Sequence, residues 1–144
     1  MNGSMAPTGR VLLDTNIVIA LFAGEAAVRQ GVEQADAIFI PVIAMGELYY
    51  GARQSARVAS NVERLTAFAA AAAVLVCDSG TAAVYGELKA MLRAQGTPIP
   101  ENDIWIAALA RQHLLELASR DAHFTLIPGL DLVRWEDVPP PVGS

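Results

Sequence analysis

VLLDTNIVIALF, residues 11–22, joins a short apolar run to an acid and then to a helical pattern. Residues 11–13 have the length and the apolar character of a buried strand. From Thr15 onward, apolar side chains recur at the spacing of one helix face until Gly24 breaks the pattern. Asp14 is therefore predicted to lie at the carboxyl end of a strand, directly before a helix.

The same alternation of short apolar runs and helical segments continues along the chain. Further strands are predicted at residues 37–40, 74–76 and 115–118, with a last edge strand at residues 130–135. Helices are predicted between these strands, at residues 25–34, 41–52, 57–72, 79–95 and 103–113. This pattern is typical of an α/β domain in which a central, mainly parallel β-sheet is flanked by α-helices.

Caps and turns set several of the predicted helix boundaries. Pro41 is expected in the first turn of its helix, and Gly96 is expected to stop the helix that precedes it. Asn102 is expected to cap the helix that starts at Asp103. Trp105 lies at helical spacing within that helix and is assigned to the core.

Length and composition predict a single domain. The chain has 144 residues, of which 53% are hydrophobic, and a formal net charge of −5. Residues 10–136 are taken as the domain, residues 1–9 as a disordered or expression-derived leader, and residues 137–144 as a Pro-rich tail. No uninterrupted apolar run approaches the ~18 residues that span a bilayer, so no membrane association is expected.

The charge balance and the single cysteine bear on partners and location. A net negative charge is mildly unfavourable for binding nucleic acid through bulk charge. Acids gathered in a metal site count as negative until the metal binds, so a nuclease remains compatible with this balance. Cys77, assigned to a buried strand, allows no intrachain disulfide, which favours a cytoplasmic location.

Three acids are predicted to converge at one rim of the sheet. In open α/β sheets, ligands bind beyond the carboxyl ends of the strands. Asp14 and Asp121 follow predicted strands, and Asp103 begins a helix, which places it near the same rim. Each acid also has a purely structural interpretation, because Asp14 and Asp121 could cap the turns that follow them and Asp103 could favour the helix dipole.

Glu47 is the fourth candidate acid. It is the only charged residue in the fifteen-residue apolar stretch 38–52. A charge buried in such a stretch is costly unless it is paired or metal-bound, whereas an exposed Glu47 would be a single polar group on a half-buried helix. The functional interpretation is favoured.

Clustered carboxylates predict a divalent cation. Neighbouring carboxylates raise one another's pKa, and a cation removes that conflict. Oxygen ligands suit Mg²⁺ or Mn²⁺, and no cluster of His or Cys residues offers a competing zinc site. A metal of this kind can bind a phosphate oxygen and lower the pKa of a bound water, which is the chemistry of phosphodiester hydrolysis.

Three blocks of the chain resemble the signature segments of PIN-domain nucleases, and most of all the VapC-type toxins of toxin–antitoxin pairs. They are VLLDTNIVIALF at residues 11–22, IPVIAMGELYYGA at residues 40–52 and ENDIWIAALARQHLLELASRDAHF at residues 101–124. IPGLDLVRW, residues 127–135, resembles the end of the family's domain. The blocks follow the family's order, while residues 54–76 carry little family signal.

The resemblance implies a PIN-like domain with Mg²⁺- or Mn²⁺-dependent endoribonuclease activity on an RNA substrate. It assigns catalytic and metal-binding roles to the family's acidic positions, which are here Asp14, Glu47, Asp103 and Asp121. It assigns supporting roles in orienting carboxylates or waters to Asn16, Asn102 and Ser119. It also implies a homodimer whose active site is covered by a cognate antitoxin protein.

Other residues near these blocks have competing interpretations. Arg120 is the first choice for a contact with substrate, and its alternative is an ion pair with a neighbouring acid. His123 could approach substrate, but a loop position beside Phe124 is favoured. Tyr49 and Tyr50 could stack on bases, but packing in the core or in a dimer is favoured.

Two other functions are weighed against the ribonuclease. A phosphatase of the HAD class needs an aspartyl nucleophile in a DxDxT loop, and residues 14–18, DTNIV, lack the second acid and the threonine. Another Mg²⁺-dependent phosphohydrolase of that kind is therefore disfavoured. A non-catalytic PIN-like binding module would be indicated by lost acids, and none of the four is lost.

Overall fold

Five parallel strands form the centre of the fold in the computed structural model, which describes residues 9–136. Their order across the sheet is β3-β2-β1-β4-β5, and all four neighbouring pairs are parallel. The strands are β1 Arg10–Leu13, β2 Ala37–Pro41, β3 Ala73–Leu75, β4 Glu116–Ala118 and β5 Leu132–Val133. The predicted α/β architecture is confirmed. The Pro-rich tail and all but Gly9 of the predicted leader lie outside the described residues.

Six α-helices flank the sheet, and a short 3₁₀ helix follows β4 at Ala122–Leu126. The helices are α1 Thr15–Phe22, α2 Ala26–Gln34, α3 Val42–Arg53, α4 Val58–Ala71, α5 Ser79–Gln95 and α6 Glu101–Gln112. Within the described residues, no helix is long and apolar enough to cross a bilayer.

The central strand β1 divides the core into two clusters. Leu12 packs with the residues of α5 and α6, whereas Val11 and Leu13 pack with those of α1 to α4. Successive side chains of a strand point to opposite faces of the sheet, so the uninterrupted apolar run fills both faces. The apolar character that predicted a buried strand thus reflects helices on both sides of the sheet.

Two predicted helix starts are wrong. Pro41 is the last residue of β2 and caps α3, so it precedes the helix instead of lying in its first turn. Helix α6 begins at Glu101 after Pro100, and its N-terminus has no side-chain cap. Asn102 is an exposed residue of the first turn, because the helix starts two residues earlier than the predicted Asp103. Gly96, in contrast, ends α5 in the left-handed conformation, with φ of 72°, as predicted.

Two core assignments are also corrected. Cys77 is exposed and follows β3, which ends at Leu75 and forms an edge of the sheet, so this segment has one open side. Trp105 is only half-buried, because its ring lies at the surface between α5 and α6. There it stacks on Tyr85 with ring centroids 4.0 Å apart.

Gly31 provides a test of how Trp135 packs on α2. A Cβ atom at this position would lie 2.4 Å from Cδ2 of the Trp135 ring, so the ring or the helix must shift. We expect Gly31→Ala to lower the free energy of unfolding by about 1–3 kcal/mol, although alanine is the better helix former. Urea denaturation measures the change.

Gly86→Ala on α5 is the matched control, since a Cβ there meets no atom within 4 Å. This variant should gain about 0.5–1 kcal/mol from helix propensity alone. Equal stabilisation by both substitutions would show that Trp135 does not pack against α2.

Candidate active site

Asp14 lies at the carboxyl end of β1 and is 5% exposed. Its backbone N–H donates to the carbonyl oxygen of Ala118, 3.0 Å away at the end of the neighbouring strand β4. Asp14 Oδ1 accepts from the backbone N–H of Thr15 at 2.8 Å, and Oδ2 accepts from the Ser119 hydroxyl at 2.8 Å. The capping interpretation of Asp14 is therefore confirmed, and the cap is also part of a larger polar cluster.

Ser119 and Asn16 connect the loops that follow β1 and β4. Ser119 is 2% exposed, and its hydroxyl oxygen accepts from the backbone N–H of Asp121 at 3.1 Å. The Asn16 amide donates to Asp14 Oδ2 at 3.4 Å and to Ser119 Oγ at 3.3 Å, and it accepts from the backbone N–H of Arg120 at 3.2 Å. These hydrogen bonds fix the orientation of the Asp14 carboxylate.

Asp103 and Asp121 meet at His123. His123 Nδ1 lies 3.0 Å from Asp103 Oδ2 and 2.9 Å from Asp121 Oδ1. One possible ligand atom from each of these three residues lies within 4.8 Å of the others. Asp121 also caps the 3₁₀ helix, because its Oδ1 accepts from the backbone N–H of His123 at 2.9 Å. A helix start and a strand end thus deliver two carboxylates to one place.

The four acids interact electrostatically. Burial raises the pKa of Asp14 most, and the charge of Asp121 raises it further, while hydrogen bonds from Ser119 and Thr15 oppose the shift. Burial also raises the pKa of Asp103, with the charges of Asp121 and Asp14 adding to it against the opposing contact with His123. Shifts of this kind are typical of functional sites.

Glu47 reaches the same cluster from α3. Its pKa is raised first by partial burial and then by the charges of Asp14 and Asp103. Glu47 is exposed, so the expectation of a charge buried in an apolar stretch does not hold. The Thr15 hydroxyl lowers the pKa of Glu47 by a smaller amount, although the two groups do not form a hydrogen bond of normal geometry. Thr15 Oγ1 is the one buried side-chain oxygen or nitrogen without a partner in residues 9–136.

The chemistry of this cluster fits a divalent cation. It combines several carboxylate oxygens, whose mutual repulsion a cation relieves, with one imidazole nitrogen and an unpartnered hydroxyl. Carboxylate-rich sets of this kind suit Mg²⁺ and Mn²⁺. Two of the four acids that the sequence nominated, Asp103 and Asp121, therefore lie together where such an ion would be held, and Asp14 is linked to Asp121 through Ser119.

Two of the predicted site residues lie differently from expectation. The Arg120 guanidinium pairs with Glu25 at 2.9 Å and donates to the carbonyl oxygens of Arg134 and Trp135. The ion pair that was the alternative for Arg120 is thus the contact observed. Asn102 makes no cap, and nothing ties its side chain to Asp103.

His123 is the residue whose contact the sequence interpretation missed. A loop position was favoured, yet the imidazole lies between two of the acids. The available signal is the spacing Asp121-Ala122-His123, because a tight turn after a capping acid can return the side chain two residues later to that acid. Its contact with Asp103 joins residues twenty apart and depends on the tertiary fold.

Comparisons with known proteins identify relatives over most of the chain. The family model described as "PIN domain" matches residues 11–130. "Ribonuclease VapC2" of Haemophilus influenzae is 35% identical over 129 residues, covering 88% of this chain and 98% of the relative. "tRNA(fMet)-specific endonuclease VapC" of Shigella flexneri is 30% identical over 129 residues, with the same coverage of both chains.

Solved structures show the same fold. VapBC2 from Rickettsia felis, bound to a promoter DNA fragment, superposes with a TM-score of 0.80 at 27% identity, covering 88% of this chain and 98% of that one. DNA-bound VapBC from Salmonella typhimurium gives a TM-score of 0.81 at 27% identity, with the same coverage. The chain therefore belongs to the PIN-domain family, and its relatives there are the VapC ribonucleases.

Proposed function

We propose that this protein is a metal-dependent endoribonuclease that hydrolyses RNA phosphodiester bonds and acts as the toxin of a toxin–antitoxin pair. The observation that carries the proposal is the cluster in which Asp103, Asp121 and His123 each place a possible ligand atom within 4.8 Å of the others. Ser119 links Asp14 to the backbone of Asp121, and the charges of Asp14 and Asp103 both raise the pKa of Glu47. The ribonuclease names of the relatives, which align over most of their length, support the same activity.

The four acids would hold Mg²⁺ or Mn²⁺. When bound there, such an ion polarises a phosphate oxygen and lowers the pKa of a water molecule. Asp14 and Asp103 are the principal ligands in this proposal, because Asp14 is buried and Asp103 is partly buried. The charge of Asp121 raises the pKa of both, and the charge of Asp14 also raises that of Asp103. Glu47 is the acid most open to solvent, which suits it to receive a proton from the attacking water.

The surrounding polar groups orient these acids. Ser119 and Asn16 hold one oxygen of Asp14, and the backbone of Thr15 holds the other. His123 bridges Asp103 and Asp121. Supporting hydrogen bonds of this kind set ligand direction and basicity in metal sites, so their loss should weaken catalysis without removing it.

The partners follow from the relatives in the same way. The solved neighbours from R. felis and S. typhimurium are VapBC complexes, and we extend an antitoxin partner to this chain. Exposed apolar side chains on α1 and α3 near the acids, Ile19, Val42 and Tyr50, offer contact area for such a partner. The homodimer and the cytoplasmic location stay predictions.

Replacing the acids tests the proposed reaction. Asp14→Asn and Asp103→Asn should each lower kcat for RNA cleavage in Mn²⁺ or Mg²⁺ by more than the ~10–100-fold typical of supporting residues. Chelation should abolish cleavage. The matched control is Glu87→Gln, an exposed carboxylate of α5, which should cleave like the unsubstituted protein. Cleavage that survives Asp14→Asn would contradict the proposal.

Ser119→Ala tests the supporting hydrogen bonds. Because Ser119 donates to Asp14 and accepts from the backbone of Asp121, we expect about a 10–100-fold loss in metal affinity or in activity. Titration with Mn²⁺ at fixed RNA concentration separates the two effects. Ser60→Ala, at an exposed position of α4, is the control. Equal metal affinity and activity of the two variants would show that Ser119 does not support the site.

Metal-free stability should depend on pH through Asp14. Its folded pKa is raised above the ordinary value of 3.8, so the folded state retains this proton longer than the unfolded state. The protonated Asp14 side chain makes its full contribution to the stability of the fold below pH 3.8. This contribution is lost as the pH rises through the raised pKa of the folded state. The stability of Asp14→Asn relative to the unsubstituted protein should therefore increase with pH.

Thermal unfolding across pH, with and without Mn²⁺, measures this difference. The comparison with the variant is needed because Asp78 and Glu101 have lowered pKa values and act in the opposite direction. Added Mn²⁺ should stabilise the unsubstituted protein by mass action and should stabilise Asp14→Asn less. A difference in stability between the two proteins that does not change with pH would argue against a raised pKa for Asp14 in the folded state.

A further inference from the structure

A groove of about 370 Å³ lies beside the acid cluster, between α1, α3 and α4. Glu47, one of the four acids, lines the groove, and so does Thr15, which directly follows Asp14, so the groove adjoins the acid cluster. Helix α4 contributes two polar residues, Asn61 and Arg64. The rest of the lining is mostly apolar and comes from Ile19, Phe22, Leu48, Gly51, Ala52 and Leu65.

We propose that this groove binds the unstacked nucleobase next to the scissile phosphodiester, so that the enzyme selects its cleavage site by that base. The inference rests on the proposed ribonuclease function and names the part of the substrate that the groove takes. Sequence-specific proteins commonly read single-stranded RNA by accepting splayed bases against apolar or aromatic surfaces.

The apolar walls suit the flat faces of a base. Leu48 and Leu65 are 7% and 4% exposed and form part of the core beneath the groove, whereas Ile19 is 57% exposed. Phe22 packs edge-on against Phe68, with ring centroids 5.4 Å apart, which fixes its orientation. These walls are held in place by the core, so a base would enter a preformed surface.

The polar residues suit the edge of a base or its phosphate. The Arg64 guanidinium carbon lies 4.1 Å from the centroid of the Phe22 ring, and Nη2 donates to the Phe22 carbonyl oxygen at 3.1 Å. The Asn61 amide donates to Ser55 Oγ at 2.9 Å. Both side chains are thus oriented, yet the Asn61 carbonyl oxygen and most Arg64 N–H groups bond to nothing in residues 9–136.

The size and charge of the groove fit a nucleotide. Its volume is near the lower end of the ~300–1,000 Å³ range of small-molecule sites. Arg64 places a positive charge beside the proposed phosphodiester site in a chain of net charge −5, which complements a phosphate.

The test sequences the cleavage products of short single-stranded RNAs whose central positions are randomised. The unsubstituted protein should show a base preference at one position next to the cut. In Asn61→Ala and Arg64→Gln that preference should flatten, and kcat/KM for the preferred RNA should fall about tenfold, mainly through KM. Arg93→Gln, at an exposed arginine of α5, removes the same charge elsewhere and should keep the preference.

An abasic nucleotide at the preferred position provides a second measurement that needs no variant. The abasic nucleotide should lower kcat/KM of the unsubstituted protein about tenfold. It should lower kcat/KM of Asn61→Ala only slightly, because that variant has already lost the contact with the base. Cleavage without base preference, or variants with an unchanged product pattern, would overturn the groove assignment alone. Variants that keep the pattern but no longer bind a helical protein partner would overturn it in favour of that partner. Failure of the unsubstituted protein to cleave any RNA with Mn²⁺ would overturn the ribonuclease as well.

Discussion

The parallel pairing of β1 with β4 is the constraint on which the site depends. The register joins Leu13 to Ala118, and the hydrogen bond from Asp14 to Ala118 extends it by one residue. Asp14 and Ser119 are 105 residues apart in sequence, and this pairing brings Ser119 Oγ to 2.8 Å from Asp14 Oδ2. A slip of one residue would turn every side chain of the strand to the other face, so the buried apolar run that stabilises the sheet also maintains the site.

The acids are a local electrostatic cost that the described residues offset only in part, through His123 and through hydrogen bonds to Asp14. In the part of the chain that the structure describes, no lysine or arginine forms an ion pair with Asp14, Glu47, Asp103 or Asp121. The nearby Arg120 is directed to Glu25 and to backbone carbonyls instead. Carboxylates gathered and partly buried in this way would be stabilised by a cation from outside the chain, which is why this geometry fits the proposed metal site.

Features that depend on local sequence could be predicted, and those that depend on distant partners could not. The β1–α1 junction and the stop at Gly96 follow from apolar spacing and backbone preference, and both are found. The exposure of Cys77 depends on β3 being an edge of the sheet, which no short segment reveals. The contacts of Arg120 and His123 likewise depend on residues that only the fold brings near.

Helices α1 and α3 adjoin both the acid cluster and the groove. Thr15, Ile19 and Phe22 line the groove at one-turn steps along α1, which starts at the Asp14 cap, and α3 contributes Glu47 to both. Of the three helices that line the groove, α4 is the one that neither carries one of the four acids nor follows one directly. It lies in residues 54–76, the part of the sequence that resembles the family least. If the groove binds substrate as proposed, changes on α4 would alter what is bound while the carboxylates proposed to perform the chemistry stay in place.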